Sequence, residues 1–259
     1  MRREPAGPGA ALRGEALTVR IGKLTVLEGV SIEVNPGELV GLVGPNGAGK
    51  TVLFDCLCGF VRPSAGRVLL SGQDVTDAPP FWRVWHGLGR TFQEGRLFDG
   101  LSVEANVALG ACLRSGGLVS DAFSLPWAAR GKSEALRRAR AALELVGAGR
   151  LAGADFASLS GADRRRVEIA RAVVAQPRVL LLDEPAAGLE PGALDLHRLL
   201  PHLRNATGAG ILLVEHDPAL VFSTCEFAYA LDAGAVIAAG PPEDVRKHPD
   251  LRASYLGVR

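Results

Sequence analysis

The chain has 259 residues, of which 47% are apolar and 22% are charged, so it is long enough to bury one sizeable hydrophobic core. Its formal net charge of +1 gives no reason to expect nucleic acid or an anionic surface as the main partner. No apolar stretch approaches the roughly 18 residues of a membrane-spanning helix, and the N-terminus lacks the apolar segment of a secretion signal. We therefore expect a soluble, cytoplasmic protein without a nucleic-acid partner.

The N-terminal part of the chain has strand and turn patterns. Residues 1–15 are rich in Arg, Pro, Gly and Ala and are predicted to be a flexible tail. From Leu17 onward apolar and polar residues alternate as in half-buried strands, and the apolar run 39–43 (LVGLV) is typical of a fully buried strand. A glycine-rich turn follows, and residues 51–60 are predicted to form a helix.

The middle of the chain, residues 94–163, has weak strand signals and is predicted to be a helical insert. Leucine and alanine recur at helical spacing over 133–147, and Gly147 is placed to end that helix. Strand character returns at 178–185 and 210–217, in apolar runs without alternation. Such runs, separated by helices, indicate an α/β fold with a mostly parallel sheet that is covered on both faces.

The four cysteines fit an intracellular protein without disulfides. Cys56 and Cys58 are separated by one residue, a spacing that suits neither a zinc knuckle nor a redox pair. Cys112 and Cys225 are isolated in apolar surroundings. We predict that all four are buried thiols.

The strongest functional pattern is GPNGAGKT, which matches the phosphate-binding pattern GxxxxGK[ST] at every position. Its glycines allow the backbone to curl so that successive amides point at phosphate oxygens, and the helix after it presents its positive end to the anion. A chance glycine turn is the alternative, but the segment lies between a buried strand and a helix, which is the context the motif requires. The predicted phosphate ligands are Gly44, Pro45, Asn46, Gly47, Ala48, Gly49, Lys50 and Thr51, the threonine also binding Mg²⁺.

Two carboxylates, Asp183 and Glu184, follow the apolar run VLLL. The end of a parallel strand faces the ligand crevice, where an aspartate can hold Mg²⁺ and the next carboxylate can orient the attacking water. A solvated carboxylate pair is plausible for any single Asp-Glu sequence, but the phosphate-binding loop favours the catalytic interpretation. His216 follows the next strand and is predicted to hydrogen-bond the γ-phosphate and water, and Gln93 could bind Mg²⁺ or the water through its amide.

Together these motifs resemble those of the ATP-binding subunit of an ABC transporter. GPNGAGKT is similar to the Walker A loop, VLLLDEP to Walker B, Gln93 to the Q-loop residue and His216 to the switch histidine, while LSGAD takes the place of the signature LSGGQ. The resemblance implies a RecA-like phosphate-loop NTPase core, an N-terminal antiparallel β part and a helical insert. It assigns residues 16–238 to the ATPase domain and 239–259 to a C-terminal extension.

The resemblance further implies ATP and Mg²⁺ as cofactors, with Lys50, Glu184 and His216 in catalysis. Such subunits pair head to tail, so Ser160, which is a good helix N-cap, and Gly161 would hold the γ-phosphate of ATP bound to a second ATPase subunit. Membrane permeases, and indirectly a solute-binding protein, are the implied partners, at the cytoplasmic face of the membrane. The metal would be held by Thr51, Gln93 and Asp183.

Several positions depart from the family pattern. Ile21 replaces the aromatic residue that stacks on adenine, and Glu190 replaces the usual Asp or Asn after Walker B. In the signature, Ala162 and Asp163 replace Gly and Gln. Asp163 puts a carboxylate near a bound triphosphate, which is unfavourable unless a cation offsets it. The candidates for that offset are Arg164 and Arg165.

Finer details, including DEPAAGL at 183–189, resemble the ATPases of branched-chain amino acid importers and of related urea and amide importers. The segment RRRVEIARA is also similar to the ATPase of lipopolysaccharide export. A different class of function is an ATP-binding regulatory subunit that hydrolyses weakly because of LSGAD. Soluble ABC ATPases of translation or DNA repair usually carry two cassettes or long coiled coils, and neither pattern is present.

Overall fold

The computed structural model describes residues 9–91, 98, 100–112, 126–190, 192–215 and 217–256. The strands in this part of the chain are β1 (Leu12–Ile21), β2 (Leu24–Val34), β3 (Leu39–Val43), β4 (Ala65–Leu70), β5 (Gln73–Asp74), β6 (Leu88–Arg90), β7 (Val179–Asp183), β8 (Gly210–Val214), β9 (Phe227–Asp232) and β10 (Ala235–Gly240). The helices are α1 (Lys50–Cys58), α2 (Pro80–Trp85), α3 (Val103–Cys112), α4 (Pro126–Leu145), α5 (Gly161–Val173), α6 (Leu196–Thr207), α7 (Pro218–Thr224), α8 (Pro242–Lys247) and α9 (Pro249–Leu256).

The strands form two sheets. The larger sheet has the order β10-β9-β3-β8-β7-β6, and all its neighbours are parallel except the antiparallel hairpin β9–β10. The smaller sheet, β2-β1-β4-β5, is antiparallel throughout. The apolar runs predicted as buried strands correspond to β3, β7 and β8, which lie side by side at the centre of the larger sheet. The predicted mostly parallel sheet and N-terminal antiparallel part are therefore confirmed.

The larger sheet carries a hydrophobic core on each face, because successive side chains of a strand point to opposite sides. In β7, Leu180 and Leu182 belong to the core beneath the helical insert, whereas Val179 and Leu181 belong to the core shared with α1 and the smaller sheet. All four are essentially inaccessible to solvent. Burial on both faces explains why these strands lack an alternating pattern. No helix among the described residues is long and apolar enough to cross a bilayer.

Ordered structure begins earlier than predicted at the N-terminus. Strand β1 starts at Leu12, inside the segment 1–15 that the sequence predicts as a flexible tail. Leu12 is paired with Val34 on one side and Leu70 on the other, and it is 1% exposed. Pairing on both sides and burial of the leucine hold these residues in the sheet, although their Ala-, Arg- and Gly-rich composition resembles that of a tail.

The other predicted boundaries also fall inside elements of the fold. Residue 163, the predicted end of the insert, lies within α5, and β10 continues to Gly240, past the predicted end of the ATPase domain at 238. The C-terminal extension forms α8 and α9 in its described part. Val245 and Leu251 of these helices are buried in the core beneath the insert. These two apolar side chains attach an otherwise polar segment to the domain.

The C-terminus of α1 is held by a buried arginine from α2. The guanidinium of Arg83 donates to the carbonyls of Cys56 and Leu57, at 2.8 and 2.7 Å, and also to those of Thr76 and Ala78, at 3.0 and 3.1 Å. The last carbonyls of a helix lack partners within the helix, so Arg83 satisfies two of them in α1. Arg83 is 1% exposed, which a sequence pattern does not predict for an arginine.

The described cysteine side chains are buried thiols, as predicted. Burial raises the pKa of Cys56 to about 11 and the pKa values of Cys58 and Cys225 to about 12. The thiolate form is therefore strongly disfavoured at neutral pH. The side chain of Cys112 lies outside the described part of the structure.

Candidate active site

The predicted phosphate-binding loop connects β3 to α1. Gly44 lies so close to β9 that a Cβ atom there would be 2.1 Å from the carbonyl oxygen of Leu231. Gly49 precedes α1 with φ of 103°, a left-handed conformation that favours glycine. The amide of Gly234, in the β9–β10 turn, donates to the carbonyl of Ala48 at 3.0 Å. Backbone geometry and close packing thus require glycine at two positions of the loop.

Lys50, the first residue of α1, turns back across this loop. Its Nζ donates to the carbonyls of Gly44 and Pro45, at 2.6 and 3.0 Å, and the residue is only 7% exposed. Burial lowers the pKa of Lys50, and the nearby carboxylates of Glu184 and Asp183 act in the opposite direction. The structure therefore brings the predicted phosphate lysine together with both predicted acidic residues.

Asp183 and Glu184 lie where β7 ends and are 2% and 8% exposed. Burial raises the pKa of Asp183, while Arg90 opposes that shift. Glu184 has a positive φ of 48°, which is uncommon outside glycine, and its amide donates to the carbonyl of Val214 at 2.9 Å. Backbone strain of this kind is concentrated at functional sites, where the surrounding structure holds it.

Two residues that lie next to Asp183 were not predicted from the sequence. Arg90 ends β6 and forms ion pairs with Asp183, at 3.0 Å, and with Asp55 of α1, at 2.5 Å. Thr91 follows it, and its Oγ1 accepts a hydrogen bond from the amide of Asp183 at 3.3 Å. The only sequence signal was their place in RTFQ, three and two residues before Gln93.

A buried glutamate after β8 was also missed. Glu215 is 3% exposed, and its Oε1 accepts a hydrogen bond from the amide of Ala186 at 2.7 Å. This bond joins the end of β8 to the turn that follows Glu184. Sequence patterns normally place a charged residue such as Glu215, directly before His216, at the surface. Its burial makes Glu215 part of the support for the site.

The segment that resembles the signature motif forms the start of α5. Ser160 is its N-cap, as predicted: its Oγ accepts a hydrogen bond from the Asp163 amide at 3.1 Å. The same hydroxyl donates to the Asp163 carboxylate at 2.9 Å. A Cβ atom on Gly161 would be 3.2 Å from the Leu189 side chain, which follows Walker B. The Ser160 hydroxyl, which is expected to contact phosphate, is thus engaged by Asp163 both as a donor and as an acceptor.

The positive charges around Asp163 differ from those expected. Arg166 and Arg150 form ion pairs with its carboxylate, at 3.2 and 3.5 Å. Arg164 instead donates to the carbonyls of Ala157 and Leu159, and Arg165 pairs with Glu168 at 2.7 Å. We therefore assign the offset to Arg150 and Arg166. Arg166 lies three residues along α5, on the helix face of Asp163, and Arg150 approaches through the tertiary fold.

The remaining predicted residues are less constrained. Thr51 follows Lys50 in the first turn of α1 and is exposed. Ile21 ends β1 and is 56% exposed, so an apolar surface is available where the family has an aromatic residue. Glu190 is exposed as well. Gln93 and His216 lie outside the described residues, so their roles stay predictions from the sequence.

The fold and the clustered loop, lysine and carboxylates define a phosphate-loop NTPase. The sequence profile of the ABC transporter family matches residues 27–187. The chain belongs to the family of ABC transporter ATP-binding subunits. The high-affinity branched-chain amino acid transport ATP-binding protein LivG of Escherichia coli K12 is 42% identical over 244 residues, which are 93% of this chain and 95% of that protein.

Two further comparisons agree with this family. The lipopolysaccharide export system ATP-binding protein LptB of Acidithiobacillus ferridurans is 38% identical over 247 residues, or 95% of this chain and 96% of that protein. A nucleotide-free ATP-binding cassette from an ABC transporter has a TM-score of 0.81 at 28% identity, covering 95% of this chain and 98% of that one. The predicted ABC ATPase fold is therefore confirmed, and so is nucleotide binding as a property of the family.

Proposed function

We propose that this chain hydrolyses ATP for an ABC importer of branched-chain amino acids or a related small solute. The observation that carries the ATPase part is that Lys50 is bonded to the glycine loop and that two buried carboxylates, Asp183 and Glu184, lie near enough for their charges to act on it. The importer part is supported by the likeness to LivG over nearly the whole chain. Urea and amides, the solutes of related importers, also belong to the proposed solute class.

Each residue has a role that follows from its chemistry. The loop amides and Lys50 bind the phosphates, because the ammonium of Lys50 can exchange the carbonyls of Gly44 and Pro45 for phosphate oxygens. Glu184 orients the attacking water and accepts its proton. His216 hydrogen-bonds the γ-phosphate and this water, and Ile21 contacts the base.

The donor set near Lys50 fits Mg²⁺. Among the described residues no group of three or more His, Cys, Asp or Glu side chains could hold a metal ion. Mg²⁺ binds nucleotide sites through one or two protein oxygens and takes its other ligands from phosphates and water. The proposed ligands are the Thr51 hydroxyl, the Asp183 carboxylate and the Gln93 amide. The bound ion would neutralise charge on the phosphates.

Ser160 and Gly161 are proposed to act on the ATP of another subunit. In a head-to-tail pair, the start of α5 presents its positive end to the γ-phosphate bound by the partner's loop. The second subunit is a copy of this chain or a related ATPase. Permeases hold the pair at the cytoplasmic face of the membrane, and they meet a solute-binding protein on the other side.

A second candidate is a subunit that binds ATP but supports slow hydrolysis. The observation that favours it is the double hydrogen bond between Ser160 and Asp163, which engages the hydroxyl intended for phosphate. The carboxylate of Asp163 also repels a triphosphate, although Arg150 and Arg166 reduce this effect. The lipopolysaccharide export alternative is supported by the likeness to LptB.

Glu184→Gln tests the ATPase proposal. We expect ATP turnover to be abolished while ATP binding is retained, because the amide keeps the shape of the side chain but cannot accept the proton. Phosphate release and equilibrium ATP binding should be measured on the same preparation. Glu243→Gln is the control, since its side chain is 87% exposed on α8. Phosphate release by Glu184→Gln at the rate of the unaltered protein would contradict the role of Glu184.

The solute requires a separate test. In a strain lacking this chain, uptake of labelled leucine or urea should fall and should return when the unaltered gene is restored. Restoration by the Glu243→Gln gene but not by the Glu184→Gln gene would link uptake to hydrolysis. Normal uptake of both solutes in the deletion strain would contradict the importer proposal and leave lipopolysaccharide export as the candidate to assay.

A further inference from the structure

The guanidinium of Arg90 lies between two carboxylates from different parts of the fold. One is Asp183, which ends β7, at 3.0 Å, and the other is Asp55 of α1, at 2.5 Å. The Arg90 side chain is 8% exposed, and that of Asp183 is 2% exposed. The planar fork of an arginine can contact two carboxylates at once, which a single ammonium does poorly.

Two phenylalanine rings border this ion-pair group, one of them buried and the other 54% exposed. The Arg90 Cζ atom lies 5.8 Å from the centre of the Phe54 ring and 5.7 Å from that of Phe60. Phe54 is completely buried. Solvent and salt screen the buried charges of Arg90 and Asp183 much less than charges at the surface, while Asp55, with 30% of its side chain exposed, is screened more. A change of one charge in this group should therefore be felt by the other two.

The segment of Arg90 also holds the backbone of Asp183. Thr91 Oγ1 accepts a hydrogen bond from the Asp183 amide, and the Thr91 amide donates to the carbonyl of Leu181 at 3.0 Å. Arg90 and Thr91 thus fix both the carboxylate and the main chain of Asp183. The same segment leads directly to Gln93.

We propose that Arg90 is a positioning residue that competes with the divalent cation for the charge of Asp183, and that Asp55 sets the strength of this competition. Asp55 shares the positive charge of Arg90, so it leaves the Asp183 carboxylate available to a cation. Without Asp55, Arg90 pairs with Asp183 alone and resists the cation. Without Arg90, the carboxylate of Asp183 is open to the cation. The inference rests on the proposed metal role of Asp183.

The test measures how much Mg²⁺ the purified protein needs to bind a fluorescent ADP analogue, with Mn²⁺ as a second cation. Asp55→Asn should raise the half-saturating Mg²⁺ concentration about fivefold, which corresponds to about 1 kcal/mol. Arg90→Met, which keeps the apolar stem, should lower it by a similar factor. The distinctive result is that the two variants shift the half-saturating Mg²⁺ concentration in opposite directions. If the ion pairs had a purely structural role, both variants would shift it in the same direction.

Controls separate this inference from the proposed function. Arg67→Met removes an exposed ion pair with Glu15 and should leave the Mg²⁺ requirement unchanged. Arg90→Lys keeps the charge but loses the simultaneous contact with both carboxylates, so it should lower the Mg²⁺ requirement less than Arg90→Met. It replaces Arg90→Met if that variant does not fold. Shifts in the same direction, or none, would overturn the inference while Asp183→Asn still weakens the Mg²⁺ response. An unchanged response in Asp183→Asn would overturn the proposed metal role and this inference with it.

Discussion

Arg83→Met should destabilise the protein strongly, because Arg83 holds the end of α1 through buried hydrogen bonds. The substitution leaves four backbone carbonyls, those of Cys56, Leu57, Thr76 and Ala78, without their guanidinium donor. A hydrogen bond to a charged group contributes about 1.5–3 kcal/mol, so the gross loss is about 6–12 kcal/mol. Removal of a buried charge returns several kcal/mol of desolvation free energy. We expect a net loss of about 3–5 kcal/mol.

A chain of this size loses about 2–4 °C in melting temperature for each kcal/mol, so the midpoint should fall by about 6–20 °C. Differential scanning calorimetry with and without ATP is the assay. Arg62→Met is the matched control, because Arg62 is 76% exposed and its ion pair with Asp77 at 2.8 Å should contribute less than about 1 kcal/mol. Equal midpoints for the two variants would refute the assignment of Arg83 as the group that holds the end of α1.

Three further predictions concern the loop, the signature and the thiols. Gly44→Ala should abolish nucleotide binding in an equilibrium titration, since its Cβ would lie 2.1 Å from the Leu231 carbonyl oxygen and displace the loop. Asp163→Gln combined with Ala162→Gly should raise ATP turnover of the assembled transporter by releasing the Ser160 hydroxyl, and an equal or lower rate would show that the present signature is already competent. A thiol reagent at pH 8 should modify Cys56, Cys58 and Cys225 only after unfolding, because burial raises their pKa values to about 11 or 12. Peptide mass spectrometry of the native and the unfolded protein is the measurement.

The central sheet could be predicted because each buried strand carries its own signal. Residues 39–43 and 210–214 are continuous apolar runs, and burial on both faces of a parallel sheet produces that pattern. Strand β6 escaped prediction because it has three residues, one of them a glycine, and depends on pairing with β7. The start of β1 was misplaced for a similar reason, since partners distant in sequence hold it in the sheet.

The site residues that could be predicted belong to short contiguous motifs. Lys50, Asp183 and Glu184 stand in such motifs, and the structure brings them together. Arg90 could not be found in this way, because its role depends on two carboxylates that are distant in sequence. The Arg166–Asp163 pair was open to prediction from helical spacing, whereas the contact from Arg150 requires knowledge of the fold.

Helix α5 connects the segment proposed to act on another subunit's ATP to the strand beside this chain's own Asp183. It contains 13 residues, so it spans about 20 Å. Its first turn carries the segment proposed to touch the neighbour's ATP, and its last turn packs against β6, where a Cβ atom on Gly89 would be 3.1 Å from the Ala172 carbonyl oxygen. One residue beyond Gly89 is Arg90, which contacts this subunit's own Asp183. In the proposed head-to-tail pair, a shift of α5 along its axis would therefore reach this chain's own site and the site on the neighbouring subunit.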